Sequence, residues 1–421
     1  MRQSKLFTKT RKEAPADEVS KNAEFLIRGG FIHKEMAGVY DYLPLGLRVL
    51  KKIENIIREE IDAIGGQEVL MTTLQDPEIW KKSNRWDDAV VDNWFKSKFV
   101  SGGDVGIANT HEEPITNMLT HFLDSYKDLP IYIYQFQTKF RNELRAKSGI
   151  MRVKEFAMKD LYSFSKTEEE FREFYEKCAE AYTKIFKRVG IGHKTYRTLA
   201  AGGSFTVGLT DEFQTVSSAG EDIIYIDEER GLAINKEVYN DENLEKYGFN
   251  KSKLKEERAI EVGNIFPLGT KYADALGLNY QDARGEKQTI TMGSYGIGLG
   301  RLLGTVVEVL SDDKGIIWPE SLSPFAIHLL TLGEDEAVKE EAEKIYKSLQ
   351  ENNIEVLFDD REGVSPGEKF ADSDLIGIPH RAVVSTRSLK EGGIEIKKRA
   401  EDKGKVVSLD ELLKLAKPDS A

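Results

Sequence analysis

Residues 131–164, IYIYQFQTKFRNELRAKSGIMRVKEFAMKDLYSF, read as strand, loop and strand. Ile131, Ile133, Phe136 and Phe140 spread β-formers through the first ten residues. The run from Arg152 to Phe164 is again rich in aromatic and apolar residues, and 142–151 between them carries a glycine and mixed charges. From Lys139 to Lys159 there are seven Lys or Arg against two Glu, a local excess of five positive charges in a chain of net charge −12. Such a hairpin is in general a solvated face whose cations pair with acids elsewhere. Arg141 and Glu143, however, stand two apart, so on a strand they share a face. A cation and a carboxylate side by side at a hairpin mouth suit a ligand with both phosphate and amine groups.

Outward from the hairpin, the preceding segment THEEPITNMLTHF predicts a helix with Thr110 as N-cap, Glu113 at the third position and Pro114 in the first turn. That assignment leaves Glu112 without a structural task, free to face a cationic amine. Upstream, 16–38 predicts a helix closed by Gly29-Gly30, and Leu45–Ile64 a longer one closed by Gly65-Gly66, followed by a strand in QEVLMTTLQ. After the hairpin, 165–190 predicts the clearest helix, with Thr167 as cap and Phe171, Phe174, Cys178, Tyr182 and Ile185 on one stripe. Cys178 on that stripe reads as a buried small hydrophobe. Residues 193–226 alternate strand and turn, and 227–258 read as a charged surface connection.

Gln288–Met292 is a short β-like run entering glycines 293, 296, 298 and 300, with Arg301 opening an apolar helix. Strand, glycines and helix also describe a phosphate loop. No Gly-Lys-Ser/Thr occurs, and no second strand brings the acid of a dinucleotide fold, so the alternative is a tight packing corner. Two prolines in GIIWPESLSP (315–324) mark a domain boundary. Beyond them strands and helices alternate: AIHLLTL, a helix over 334–352, IEVLFDD, a helix near 367–376, RAVVST and GIEIKKR. That pattern predicts a small α/β domain.

The 421 residues allow two to four domains. No apolar run reaches the roughly 18–20 residues of a membrane span, and the first residues lack the apolar stretch of a signal peptide. One cysteine excludes a disulfide framework, and the six histidines lack HxxxH spacing, so no metal-ligand set stands out. The composition reads as cytoplasmic.

In this order the three constellations resemble the motifs of class II aminoacyl-tRNA synthetases, and within them the prolyl-tRNA synthetase family, over nearly the whole chain. GVYDYLPLGLRVLKKIENIIREEIDAIGGQEVLM, within about 38–75, resembles motif 1. FRNE at 140–143, within 131–164, resembles the FRxE of motif 2, and GSYGIGLGR, within 289–310, resembles motif 3. THEEPIT, VGNIFPLGTKYADAL and DDREGVSPGEKFADSDLIGIPH resemble segments particular to the prolyl family. Asp211 and Asn264 stand where that family commonly has His, and Thr72 where motif 1 commonly has Pro.

The resemblance implies an α+β catalytic domain, an antiparallel sheet flanked by helices, over 1–320, and a C-terminal α/β anticodon-binding domain over 321–421. It implies ATP with Mg2+ as substrate and no tightly bound cofactor, L-proline and tRNA(Pro) as partners, and a homodimer through motif 1. Arg141, Glu143 and Arg301 become the catalytic set. Thr110, Glu112, Arg141, Met158, Asp160, Tyr162 and Asp211 would receive proline. Arg141, Glu143, Arg152, Phe156, Gln214, Ser294, Gly296 and Arg301 would hold ATP. Arg145, Lys147, Arg361, Lys369 and Asp372 would meet tRNA. Only the short 227–258 connection stands where many relatives insert an editing domain, which implies no cis editing of Ala-tRNA(Pro). Another class II synthetase, or a synthetase-like RNA-binding protein without catalysis, is the competing expectation.

Overall fold

The hairpin lies near one edge of a nine-stranded sheet in a computed structural model that describes residues 1–15, 18–144, 148–203, 205–206 and 208–416. In chain order its strands are β1 (Gln67–Glu68), β2 (Ile131–Phe140), β3 (Glu155–Ser165), β4 (Thr195–Ala201), β5 (Leu209–Val216), β6 (Asp222–Asp227), β7 (Leu232–Asn235), β8 (Lys255–Gly269) and β9 (Thr291–Gly298). The spatial order is β5-β4-β7-β6-β8-β9-β3-β2-β1, and β5 also pairs with β8, so five strands close a circuit at one end. All pairs are antiparallel except β4/β7 and β1/β2. β2 and β3 pair in unbroken register from Ile131↔Phe164 to Phe140↔Glu155. The antiparallel expectation holds.

The glycine cluster is not a phosphate loop. Gly293, Gly296 and Gly298 lie within β9, between β8 and β3. A Cβ on Gly293 would lie 2.5 Å from the Tyr295 hydroxyl and 2.7 Å from the Phe171 ring. The small residues therefore let a helix approach the sheet; tight strand packing and a nucleotide loop look alike in a string of glycines. That helix, Glu168–Arg188, is the expected one: Thr167 accepts from the Glu170 N–H at 3.2 Å, and Phe171, Phe174, Cys178, Tyr182 and Ile185 are buried. Burial pushes the Cys178 thiol up to about 12, consistent with an inert core residue.

Other expectations change. The helix expected over 16–38 runs only over Lys21–Arg28; Gly30 takes φ +72°, and Ile32–Met36 pairs with Val39–Tyr42 as a hairpin. The motif 1 helix spans Pro44–Ala63, with Ile53, Ile57 and Ile61 buried. QEVLMTTLQ pairs only at its ends, at Gln67–Glu68 and Leu74–Gln75. The second hairpin strand starts at Glu155, not Arg152, after a 3-10 turn at Gly149–Met151. The 227–258 connection is no mere surface loop: β7 enters the sheet with Ala233 and Ile234 buried, and Val238 and Leu244 cover it.

The C-terminal pattern folds as expected. β10 (Ile327–Leu332), β11 (Val356–Asp359), β12 (His380–Ser385), β13 (Ile394–Lys398) and β14 (Lys405–Val407) form a sheet in the order β11-β10-β12-β13-β14. The first three are mutually parallel, and helices Glu336–Glu351 and Pro366–Ile376 cross over between them. Both helices are capped by side chains, Asp335 and Ser365, and the apolar face of the first joins the core of Leu329, Leu349 and Phe358. Close contacts divide the chain into two units: Met1–Glu35, Tyr40–Lys52 and Val306 onward form one, and Met36–Val39 with Ile53–Thr305 the other. No helix among the described residues is long and apolar enough to cross a membrane.

Candidate active site

β2 ends at Phe140, so Arg141 and Glu143 lie beyond the strand and do not share its face as the spacing suggested. The chain turns there: the Arg141 N–H donates to Lys154 O at 2.8 Å and the Glu143 N–H to Arg141 O at 2.7 Å. Arg141 sits 5.4 Å above the Phe156 ring and its Nε donates to Asn109 O at 3.3 Å. Burial pulls its pKa below the ordinary value; Glu112 and Glu143 oppose this and Arg301 adds to it. An arginine remains cationic through such a shift, so Arg141 is a fixed charge at this turn.

A cavity of about 90 Å3 opens here, walled by Arg141, Glu143, Phe156, Met158, Gly296 and Arg301. Beside it, a second of about 150 Å3 shares Met151, Arg152, Glu261 and Arg301 and adds Glu221 and Asp222. Arg301 is held by Met151 O at 3.1 Å and by the Glu261 carboxylate at 2.9 Å. Arg152 spans the mouth, donating to Glu143 at 3.2 Å and Glu221 at 2.6 Å. The cavity wall is thus three guanidiniums spaced by carboxylates. An aromatic ring and a glycine strand complete it.

The acids behind Arg141 differ in their partners. The expected capping box is absent: the helix is Glu112–Leu119, His111 occupies the cap position, and Thr110 instead donates its hydroxyl to Glu112 at 2.5 Å. Ser294 donates to the other Glu112 oxygen at 3.2 Å. Glu113, assigned to the cap, is taken by Arg85 at 3.1 Å and Ser83 at 2.7 Å. Arg85 lies 3.7 Å from Glu112, nearer to Glu113. Glu112 is thus a buried carboxylate held mainly by hydroxyls, a setting that favours a bound cation.

Asp160 lines neither of these cavities and is a buried hub of hydrogen bonds. It receives Lys139 Nζ at 2.9 Å, Gln135 at 2.9 Å and the Tyr162 hydroxyl at 3.0 Å. Burial works to raise the Asp160 carboxyl, but Lys139 and His111 outweigh it and hold it low. Lys139 also meets His111 Nδ1 at 2.6 Å, which makes Nδ1 the acceptor, so Nε2–H donates to Thr72 O at 3.0 Å. Burial, with Lys139 adding, holds the His111 pKa down to about 4.

The structure brings Arg141, Glu143, Arg152, Phe156, Met158, Gly296 and Arg301 around the cavities, and groups Thr110, Glu112 and Ser294 with Tyr162 above Asp160. Asp211 is placed elsewhere, bonded to Arg197 and the Tyr175 hydroxyl, each at 2.9 Å. Gln214 is buried between Glu212 at 2.9 Å and Asp222 at 2.7 Å. Arg145 and Lys147 lie outside the described residues. In the other unit Arg361 pairs with Asp359 at 2.7 Å and Asp372 at 2.8 Å, and Lys369 donates to Thr331 O at 2.9 Å. Sequence reading missed Arg85, Glu261 and the inward role of Lys139. The last had a signal: Ile133, Gln135 and Lys139 share one strand parity and are buried together.

The description tRNA synthetase class II core domain (G, H, P, S and T) matches residues 95–310, and that of an anticodon binding domain matches 326–417. A proline--tRNA ligase of Wolbachia sp. subsp. Drosophila simulans (strain wRi) is 39% identical over 424 residues, covering 98% of this chain and 99% of its own. That of Anaplasma phagocytophilum (strain HZ) is 37% identical over 428 residues, with the same coverage. Among solved structures, prolyl-tRNA synthetase of Cryptosporidium parvum with halofuginone and AMPPNP superposes at TM-score 0.77 and 15% identity, covering 92% of this chain and 74% of that one. The Giardia lamblia enzyme with prolyl-adenylate gives 0.76 at 18% identity, with the same coverage. Identities that low speak for the fold alone.

Proposed function

The chain belongs to the proline--tRNA ligase family of class II synthetases, and from that membership we propose how its residues divide the work. The activity joins L-proline to tRNA(Pro) through prolyl-adenylate. The proline carboxylate attacks the α-phosphorus of ATP and pyrophosphate leaves; the terminal tRNA hydroxyl then attacks the prolyl carbonyl and AMP leaves. The first step needs no side-chain base, because the attacking carboxylate is already ionised; in the second the hydroxyl proton passes to the phosphate of the departing AMP, so catalysis is positioning and charge. Arg141 binds the carboxylate and α-phosphate together and stabilises charge that grows on the equatorial oxygens. Its place on one cavity wall with Glu143, Phe156 and Arg301 is the observation that carries this reading.

Glu112, with Thr110 and Ser294, receives the proline ammonium. Met158 and Tyr162 bound the ring, and Asp160 braces them from below. Glu143 accepts from the adenine amino group, Phe156 stacks on one face and Arg301 covers the other. Arg152 and Arg301 take the terminal phosphates, and Gln214 and Gly296 shape the nucleotide wall. Burial, with Glu261 adding, pushes Glu212 up to about 9. Glu261 and Asp222 line the second cavity, and these hard oxygen donors would hold Mg2+. Bound with ATP, Mg2+ would neutralise phosphate charge. Residues 1–320 act as the catalytic domain and 321–421 as the anticodon reader, with Arg361, Lys369 and Asp372 at the RNA face and Arg145 and Lys147 toward the acceptor stem. Leu70 and Leu74, 77% and 56% exposed, support a homodimer through motif 1. The enzyme works in the cytoplasm.

The test is ATP–pyrophosphate exchange with proline and alanine side by side. Exchange driven by another amino acid and not by proline sinks the assignment. A pocket sized for proline rejects a smaller side chain by only about 1–3 kcal/mol per missing methylene, so alanine should also support measurable exchange. The 227–258 segment holds one short strand, one short helix and two 3-10 turns between the flanking sheet strands, with no room for an editing domain. Added Ala-tRNA(Pro) should therefore persist in the presence of the enzyme. Rapid enzyme-dependent deacylation would count against it.

A further inference from the structure

Residues 1–4 lie along β11, the edge strand of the C-terminal sheet. The Phe358 N–H donates to Met1 O at 2.8 Å and Arg2 bridges Phe358 in parallel. Gln3 and His328, both buried, meet at 2.9 Å. The Arg2 guanidinium forks onto both oxygens of Glu343, at 2.6 and 2.7 Å, and reaches Asp360 at 3.1 Å. Beneath it lie the rings of Tyr346 at 4.9 Å and Phe358 at 5.3 Å. Ser4 closes on Asp360 from the other side, with its N–H at 3.0 Å and its hydroxyl at 2.9 Å.

These contacts form one side of a cavity of about 220 Å3 that also includes Arg361 and Lys369. Its lining holds four cations, Arg2, Lys339, Arg361 and Lys369, against four carboxylates, Glu343 and Asp360 among them. A phosphate site would be basic. A neutral cavity of alternating donors and acceptors instead suits the edge of an unstacked nucleobase, the way single-stranded RNA is read. Arg361 and Lys369 are already committed inward, to Asp359 and to backbone carbonyls. Arg2 is what sets the direction of Glu343, and with Ser4 that of Asp360; without its charge the two carboxylates would repel each other.

We propose that Arg2 is a positioning residue for anticodon specificity: from the far end of the sequence it fixes Glu343 and Asp360 as acceptors for a nucleobase in this cavity. The proposal rests on the reading of this cavity as the anticodon site. Its test is aminoacylation by the full chain of a tRNA(Pro) transcript and of transcripts with each anticodon base replaced in turn. The ratio of kcat/KM values within one preparation is independent of how much of it is folded. Arg2→Ala should shrink the discrimination at one anticodon position by about tenfold, the scale of a lost bidentate base contact. Arg2→Lys, which keeps the charge but not the fork, should give a smaller loss at the same position. It decides the matter if Arg2→Ala does not fold. An unchanged ratio at every position overturns the role of Arg2. If Arg361→Ala also leaves every ratio unchanged, the cavity does not read the anticodon, and the reading beneath the proposal falls with it.

Discussion

Arg141→Ala lowers proline-dependent ATP–pyrophosphate exchange by about 10²–10³-fold in kcat, the usual cost of removing one fixed group aimed at charge that develops in the transition state. The loss falls on kcat because charge on the α-phosphate grows only as the carboxylate attacks. A second effect raises KM for proline. Glu112 and Glu143 both act on the Arg141 charge, and without it the pocket is left acidic toward a substrate carboxylate. Arg141→Lys should recover little, since a point charge cannot bridge carboxylate and phosphate as a planar fork does. The variant should fold, because the Arg141 guanidinium donates to Asn109 O at 3.3 Å and sits above Phe156, while the backbone bonds that hold the turn are kept by alanine. Exchange within tenfold of the unaltered enzyme would remove Arg141 from the centre of the reaction.

The sequence made this group legible because the residues are close in sequence and their chemistry is unusual: two cations and one acid at the end of a strand pair. The Glu168–Arg188 helix and the C-terminal strands were legible for a related reason, since capping and periodicity are local. What stayed hidden depends on distant partners. Thr110 had the sequence of a helix cap, yet its hydroxyl turns to Glu112, because Arg85 from another segment claims Glu113. The glycines of β9 read equally as loop or packed strand until Phe171 supplied the reason for their size. Arg2 gave no signal at all; its partners Glu343 and Asp360 lie more than 300 residues away. Asp160 drew notice as a pocket residue, and only the buried Lys139 shows that it is one half of a buried ion pair.

Asp160→Ala should cost about 3–5 kcal/mol of stability at neutral pH, the cost of stranding one member of a buried ion pair. Lys139 and Asp160 are almost fully buried, at 0% and 3% exposure. Lys139 would keep only the imidazole of His111 as partner. Removing both charges with Asp160→Asn and Lys139→Met should cost less than the sum of the single changes, so a urea double-mutant cycle isolates the pair. The pH dependence gives a second check. Burial already draws the Lys139 pKa below its ordinary value, and Asp160 is the largest influence opposing it. Without Asp160 the folded state holds that proton more weakly still, so the unfolded state binds more protons and the stability of Asp160→Ala rises with pH toward 10. In the unaltered protein His111, held down to about 4 from 6.5, contributes stability that is complete above pH 6.5 and is lost as pH falls toward 4. Mutating it to Phe should flatten that limb of the urea midpoint against pH. A loss below about 1 kcal/mol in Asp160→Ala would mean that water or a neutral Lys139 replaces the pair.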